Sequence, residues 1–395
     1  MSINRKSIVY YLINLVYITS FLIWILFNWD SSKVISNYGI FLLPWIIFLM
    51  FVQLLSFYLK KRNIYDFGLW YIILSYLFMF GLLFFDVFSL ETNLIWNPIL
   101  YYSKDVLFYS NVFIILSMEA FMLGYLHFNS EEIPAIKNEK SSKKIYYIGV
   151  ILFVIGFVCR LINDLRIIEV TGIANSYSAY STAGSAGLID DFAFFLVPGI
   201  SFLCFSGCLN RKKINILCIG SIIYLATTMM LTGSRKIQIF SILTIFLIWL
   251  YSDKKHLSFK RIIILIVATL LLLNLVIVIR DTRFNLNQMF PTYIETLQSG
   301  KVLSNILGEV LSETGLTGLS VANIFSIVPI IKPYEWGITF LRTIPSFLPI
   351  GWLLGDFFNL ASSTEVINTY INIPVGSSII GDFYWNFGFI GGVIF

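Results

Sequence analysis

The sequence predicts an all-α polytopic membrane protein of about ten transmembrane helices, with a large extracytoplasmic loop domain between the last two. Three observations carry that expectation. Of 395 residues, 58% are hydrophobic and only 12% charged, about half the charged share of an ordinary soluble domain, and the mean hydropathy is +0.83. Apolar runs of the length that crosses hydrocarbon, about 20 residues, recur between charged loops. The runs lack the alternation of barrel strands, and backbone groups within a bilayer are satisfied only in helices or closed barrels.

In chain order the apolar runs fall at 8–27, 38–59, 67–88, 106–128, 145–163, 189–209, 214–232, 237–251, 262–279 and 377–395. The first has no small-residue cleavage site and is long enough to span, so it reads as a permanent helix. Cys159, Cys204, Cys208 and Cys218 all lie inside apolar runs, where a thiol behaves as a small hydrophobe. No disulfide framework is expected. Cys204 and Cys208, four apart, are placed to share a helix face, with no His near enough to suggest a metal site. Glu119 is the sole acid in mid-span, expected to pair with Tyr or Ser inside the bundle.

Basic loops are retained on the cytoplasmic side, which sets the orientation. With the N-terminus inside, every inner segment is basic, from Arg5 and Lys6 through Lys60–Arg62, Lys137–Lys144 and Arg211–Lys213 to Lys254–Arg261. The outer side is net acidic, and the type of cation changes there: 12 Lys and 4 Arg inside against 5 Lys and 6 Arg outside. Topology alone predicts no such switch. A planar guanidinium suits bidentate binding of phosphate better than an ammonium does. The outer set is Arg160, Arg166, Arg235, Arg280, Arg283 and Arg342, with snorkelling to lipid headgroups as the bland alternative.

The ninth and tenth runs frame a segment from 280 to 376 with six of the chain's ten Pro, which reads as a small domain. The chain thus divides into a nine-span bundle (1–279), a loop domain (280–376) and a last span (377–395). Within the loop domain, 302–313 reads as a short helix with Glu309 and Glu313 on one face. The run from Gly337 to Leu354, interrupted by Arg342, Pro345 and Pro349, reads as re-entrant or interfacial. Asp164 to Leu188 is an outer loop, where Tyr177 and Tyr180 offer rings and hydroxyls to a sugar or simply to solvent.

The turn Thr232-Gly233-Ser234-Arg235-Lys236 leaves almost no spacer between two helices, so Arg235 stands near a helix N-terminus that favours anions. Arg280 and Arg283, three apart, share a face. An ion pair at ~4 Å is worth about 4 kcal/mol at an effective dielectric of roughly 20, so two or three such arginines suffice to hold a lipid diphosphate. Asp281 and Asp382 are alternative partners that would make the same arginines structural. Both histidines, His127 and His256, fall inside, and no Walker A pattern is present. An outer general base must therefore be Asp, Glu or Tyr, carboxylates being usual in glycosyl chemistry.

Leu231-Thr232-Gly233-Ser234-Arg235 between two helices, Arg280-Asp281-Thr282-Arg283 opening a large outer loop, and a late Asp382-Phe383-Tyr384-Trp385-Asn386-Phe387-Gly388 together resemble the O-antigen and capsule repeat-unit polymerases of the Wzy type. The likeness covers the architecture of the whole chain, and its motifs amount to about twenty residues. Where that family often has Glu, this chain has Asp382. Family members usually continue through further helices, so a chain ending at Phe395 within an apolar run is expected to be truncated.

The resemblance implies a glycosyltransferase at the outer face of the bacterial cytoplasmic membrane that joins polyprenyl-diphosphate-linked oligosaccharides, with no cofactor and no metal. Arg235, Arg280, Arg283, Arg342 and Arg166 would bind the donor's diphosphate. Asp382, Glu309 or Glu313 would be the base, Tyr177 and Tyr180 would contact sugar, and Tyr384 and Asn386 would be further substrate-binding residues. The bilayer, a flippase and a chain-length regulator are the partners to be expected, and nucleic acid is not. The rival readings are a polysaccharide ligase, which shares the donor chemistry, and a lipid-linked oligosaccharide flippase or transporter. The latter usually shows intramembrane charge and related halves, of which this sequence has little.

Overall fold

The computed structural model describes residues 5–60, 66–90, 102–128, 141–175, 188–232, 236–252, 275, 277–279, 281–282, 285–298, 302–343, 363–370 and 376–395. Every regular element among them is helical. In chain order they are α1 (Arg5–Asn28), α2 (Ser32–Ser36), α3 (Tyr38–Leu59), α4 (Phe67–Val87), α5 (Lys104–Phe128), α6 (Lys143–Ala174), α7 (Leu188–Ala193), α8 (Leu196–Phe205), α9 (Arg211–Thr232) and α10 (Lys236–Ser252). A 3-10 turn at Leu286–Gln288 leads to α11 (Met289–Gln298), α12 (Val302–Thr314), α13 (Leu316–Ile327), α14 (Ile338–Thr343), α15 (Ser363–Tyr370) and α16 (Ile379–Ile394).

Eight helical stretches among the described residues are long and apolar enough to cross a membrane: Val9–Asn28, Tyr38–Leu59, Gly68–Val87, Lys104–His127, Lys143–Ala174, Leu188–Phe205, Arg211–Thr232 and Leu307–Ile327. The first seven lie on the first seven apolar runs of the sequence. The runs at 237–251 and 377–395 fall on two shorter apolar helices, Gln238–Leu250 and Ile379–Ile394, and most of 262–279 lies outside the described residues. Leu307–Ile327 is the difference, because Glu309, Ser312, Glu313 and Thr314 dilute its hydropathy to 1.2.

Two further expectations are corrected. Residues 164–174 are not a loop: α6 runs 32 residues to Ala174, about 48 Å at 1.5 Å per residue, and ends where Asn175 takes φ 47. Of the charges that suggested a loop, Asp164 pairs with Arg160 one turn back and Arg166 with Asp190 of α7. Cys204 and Cys208 do not share a helix face, because α8 stops at Phe205 and Gly207 turns the chain with φ +69. The Cys204 sulfur lies instead 3.7 Å from that of Cys218 on α9, and all four thiols are free.

The chain forms two compact units, one of Met1–Ile133 with Leu307–Phe395, the other of Pro134–Ile306. The sequence reading divided the chain instead after 279 and 376. In the first unit α3 packs on α1, α4 and α5, and α13 packs on α4, α5 and α16. The α4–α13 contact is backbone on backbone: a Cβ on Gly318 would lie 2.1 Å from the Met79 carbonyl oxygen, and one on Gly315 2.2 Å from Leu82 N. Small residues permit such approach where packing, not water exclusion, holds helices together.

Some of the polar groups inside this unit meet in short buried networks. The Gln53 amide donates to Glu119 Oε2 at 3.3 Å and accepts from the Tyr76 hydroxyl at 2.8 Å, so Glu119 meets an amide rather than the expected Tyr or Ser. One turn along α3, Ser56 Oγ accepts from Asn14 at 3.0 Å. Asp66 caps α4 by accepting from Gly68 N at 2.9 Å, which satisfies one of the orphan donors of a helix start.

In the second unit α6 packs along α8 and α9, and α10 lies against α8 and α9. Leu196, Ile200, Cys204, Ile214, Cys218, Leu225, Ile242 and Ile245 form its main core. Glycine again sets the spacing, since a Cβ on Gly156 of α6 would stand 2.2 Å from Leu196 N.

Candidate functional site

Taken residue by residue, the sequence-derived candidates divide between the two units. In the second, Arg160 and Asp164 form a buried pair one turn apart on α6, with Arg160 Nε 3.0 Å from Asp164 Oδ2. The Tyr224 hydroxyl donates to the same oxygen at 2.9 Å. Arg160 is thereby committed to the fold. Arg166 lies 3.0 Å from Asn163 Oδ1 and 3.8 Å from Asp190 Oδ1, with its side chain 30% exposed. The helix dictates this spacing: charges three and four apart stand on one face.

Arg235, Arg280, Arg283, Tyr177 and Tyr180 lie outside the described residues. Their described neighbours do come together. Met229 of α9 joins Leu275, Val278, Ile279 and Met289 in one apolar cluster, with Met230 and Ile239 packed on it. The chain therefore enters the Thr232–Lys236 turn and leaves Ile279 from the same cluster. Thr232 is fully buried, donating to the Thr228 carbonyl at 2.7 Å, and Thr282 closes on Val278 O at 2.7 Å. Gln238, two residues into α10, is completely buried with neither amide atom hydrogen-bonded, a feature the sequence did not single out.

In the first unit the Asp382–Gly388 motif lies on α16. Ser378 caps the helix, its Oγ accepting from Gly381 N at 3.1 Å, which sets Asp382 in the first turn where the dipole favours a carboxylate. The Ser377 hydroxyl donates to Asp382 Oδ1 at 3.2 Å. Asn386, one turn on, is fully buried. Its Oδ1 accepts from Gly337 N at 2.7 Å, and its amide donates to Thr339 Oγ1 at 2.5 Å and to the Asp382 carbonyl at 2.7 Å. Backbone bonds from Glu335 N to Trp385 O and from Trp336 N to Asn386 O extend the same seam.

Asn386 thus anchors the start of α14, the six-residue helix that carries Arg342, whose own side chain lies outside the described atoms. Tyr384 is also buried: its ring stacks on Phe325 with centroids 3.7 Å apart, and its hydroxyl donates to the Val328 carbonyl at 3.4 Å. Gly388 closes the motif with φ 68 and ψ −167, a conformation essentially reserved for glycine. It kinks α16 with the Tyr334 ring against it, 3.4 Å from where a Cβ would stand.

The α12 helix observed at Val302–Thr314 matches the short helix read at 302–313. Glu309 is buried at 2% exposure; the Glu313 side chain lies outside the described atoms. Among the described residues no three His, Cys, Asp or Glu side chains gather as ligands for a metal ion.

These features define a polytopic helical membrane protein whose polar motifs sit at helix ends and short turns. A family model, the O-antigen polysaccharide polymerase Wzy, matches residues 9–395, nearly the whole chain, and the chain belongs to that family. No curated protein and no solved structure matches it. It is a multi-pass membrane protein that acts on lipid-linked oligosaccharide repeat units and polymerises them into O-antigen.

Proposed function

We propose that polymerisation proceeds by a single inverting displacement that needs no metal. An acceptor sugar hydroxyl attacks the anomeric carbon of the growing glycan, the bond from that carbon to the polyprenyl diphosphate breaks, and the hydroxyl proton passes to a carboxylate. The donor's diphosphate gains charge as it leaves, and guanidinium groups fixed in place stabilise that charge. Arg235, Arg280 and Arg283 take this role, with Arg342 and Arg166 as further phosphate-binding cations. The observation that supports it is the apolar cluster of Met229, Val278, Ile279 and Met289, from which the segments bearing Arg235 and Arg280 both start.

Asp382 is the preferred base over Glu309 and Glu313. It is half-buried in the first turn of a capped helix with the Ser377 hydroxyl beside it, whereas Glu309 is buried. Tyr177 and Tyr180 are assigned to sugar contact. Tyr384 and Asn386, buried and bonded within the fold, shape the site through α14 and the turn before it.

The orientation has the N-terminus cytoplasmic in a bacterial cytoplasmic membrane, with ten spans including 262–279 and an extracytoplasmic domain at 280–376. Leu307–Ile327 then dips from that domain into the helix bundle against α4 and α5, in keeping with 59% of its most apolar window being buried. A flippase that delivers repeat units and a chain-length regulator are the expected partners. The deciding experiment is complementation of a polymerase-deficient strain with Arg280→Ala. Losing one such donor costs about 10²–10³ in rate, so single repeat units should accumulate; full polymer length and yield would overturn the arginine assignment.

A further inference from the structure

A surface groove of about 300 Å³ opens on the second unit, lined by Tyr146, Val150 and Phe153 of α6, Leu203 of α8, Leu209, and Lys213, Ile216 and Leu217 of α9. Its walls are apolar except at one end, where two long helices begin. There Lys143 and Lys144 open α6 and Lys212 and Lys213 open α9, all four exposed. No carboxylate among the described residues pairs with any of them. Cations in the first turn of a helix also oppose its dipole, so the fold concentrates positive charge where its own helices disfavour it.

The groove is built, not incidental to side-chain packing. Ser142 caps α6, its Oγ accepting from Ile145 N at 3.4 Å, and the Ser142 N–H donates to the Ser206 carbonyl at 2.9 Å, tying the two helix-end loops together. Asn210 caps α9 by accepting from Lys213 N at 3.0 Å. Close contact of Gly149 with Leu203 and of Gly199 with Phe153 holds both in place as the rigid wall.

We infer that this groove binds an anionic phospholipid, with an acyl chain along Val150, Phe153, Leu203 and Ile216 and the headgroup phosphate among the four lysines. Charge complementarity selects this occupant. An apolar trough alone accepts any lipid, but clustered lysines at the membrane–water boundary, with Tyr146 and Tyr147 at the same level, favour a headgroup of negative charge. On the orientation proposed above, the lipid comes from the inner leaflet. The site stands apart from the polymerase chemistry.

Native mass spectrometry of the full chain released from detergent with phosphatidylglycerol or phosphatidylcholine tests it. The wild type should retain one phosphatidylglycerol in preference to phosphatidylcholine, saturably. Since each basic residue near an anionic surface contributes about fivefold, removing all four charges (Lys143→Gln, Lys144→Gln, Lys212→Gln, Lys213→Gln) should lower that preference at least tenfold, and the four Lys→Arg changes should preserve it. Leu209→Trp, which fills the groove without altering charge, should also displace the lipid. Equal retention of the two lipids, or preference surviving either the charge removal or Leu209→Trp, overturns the proposal in favour of a nonspecific lipid shell. Displacement of phosphatidylglycerol by millimolar inorganic phosphate overturns it in favour of a simple anion site.

Discussion

Replacing Asn386 by Ala removes three hydrogen bonds at once, those from Gly337 N and to Thr339 Oγ1 and the Asp382 carbonyl. At about 0.5–1.5 kcal/mol each, with the part-buried Gly337 N–H losing its partner, the loss should be about 3 kcal/mol. The two backbone bonds to Glu335 and Trp336 remain, so α14 should loosen without detaching. The purified protein should unfold at lower denaturant, and a cycle with Thr339→Val should show coupling of about 1 kcal/mol. In cells the polymer should shorten, and adding Arg342→Ala should shorten it little further, because both changes act through α14. Stability within about 0.5 kcal/mol of wild type, or fully additive effects of Asn386→Ala and Arg342→Ala on chain length, would refute the idea that Asn386 positions this helix.

Other outcomes follow from the same contacts. Arg160→Met should destabilise by about 3–5 kcal/mol, since it strands the buried Asp164 charge, while the double change Arg160→Met, Asp164→Leu should recover most of it in the same unfolding assay. Gly388→Ala should cost about 1–3 kcal/mol for a residue forced into a glycine-only conformation and should lower the melting temperature. Tyr102 donates to Asn323, and burial pushes its phenol up to about 12 from an ordinary 10. Its neutral form is the one the fold prefers, so its contribution is complete below pH 10 and lost as pH rises towards 12. Tyr102→Phe should therefore be less stable than wild type at pH 8, with the gap narrowing above pH 10 in a pH series of melting curves. Polymerisation should persist in a chelator such as EDTA; loss of activity restored by one divalent ion would refute the metal-free displacement.

Spans were legible wherever apolar residues dominate a run long enough to cross, as in α3 and α5, because lipid and helix both demand that pattern. The stretch Leu307–Ile327 escaped notice because its polar residues face protein: Ser312 bonds the Glu309 carbonyl and Thr314 reaches the Leu77 carbonyl of α4, neither of which hydropathy can anticipate. The far half of α6 was read as loop for a related reason, since a run of charge looks solvated until Asp164 finds Arg160 one turn back and Tyr224 sixty residues on. At the site, Asp382 and Asn386 were recognisable from their motif. What Asn386 holds was not, because Gly337 and Thr339 lie almost fifty residues away and carry no signature of their own. The buried amide of Gln238 had no sequence signal either, standing among Lys236, Ile237 and Ile239 as one more polar residue in a helix.

Because the first unit joins residues 1–133 to residues 307–395, it cannot be finished until the segment between them has been made. Roughly 170 residues separate its two portions, so at ~5–20 residues per second the ribosome needs roughly 9 to 35 s to bridge them. Throughout that interval the faces of α4 and α5 that receive α13 and α16 wait in the bilayer without their partners. The strip of α4 around Gly81, on which Gly315 and Gly318 close, is then a docking surface for a latecomer, and a mutation there would be felt first as a failure of biogenesis.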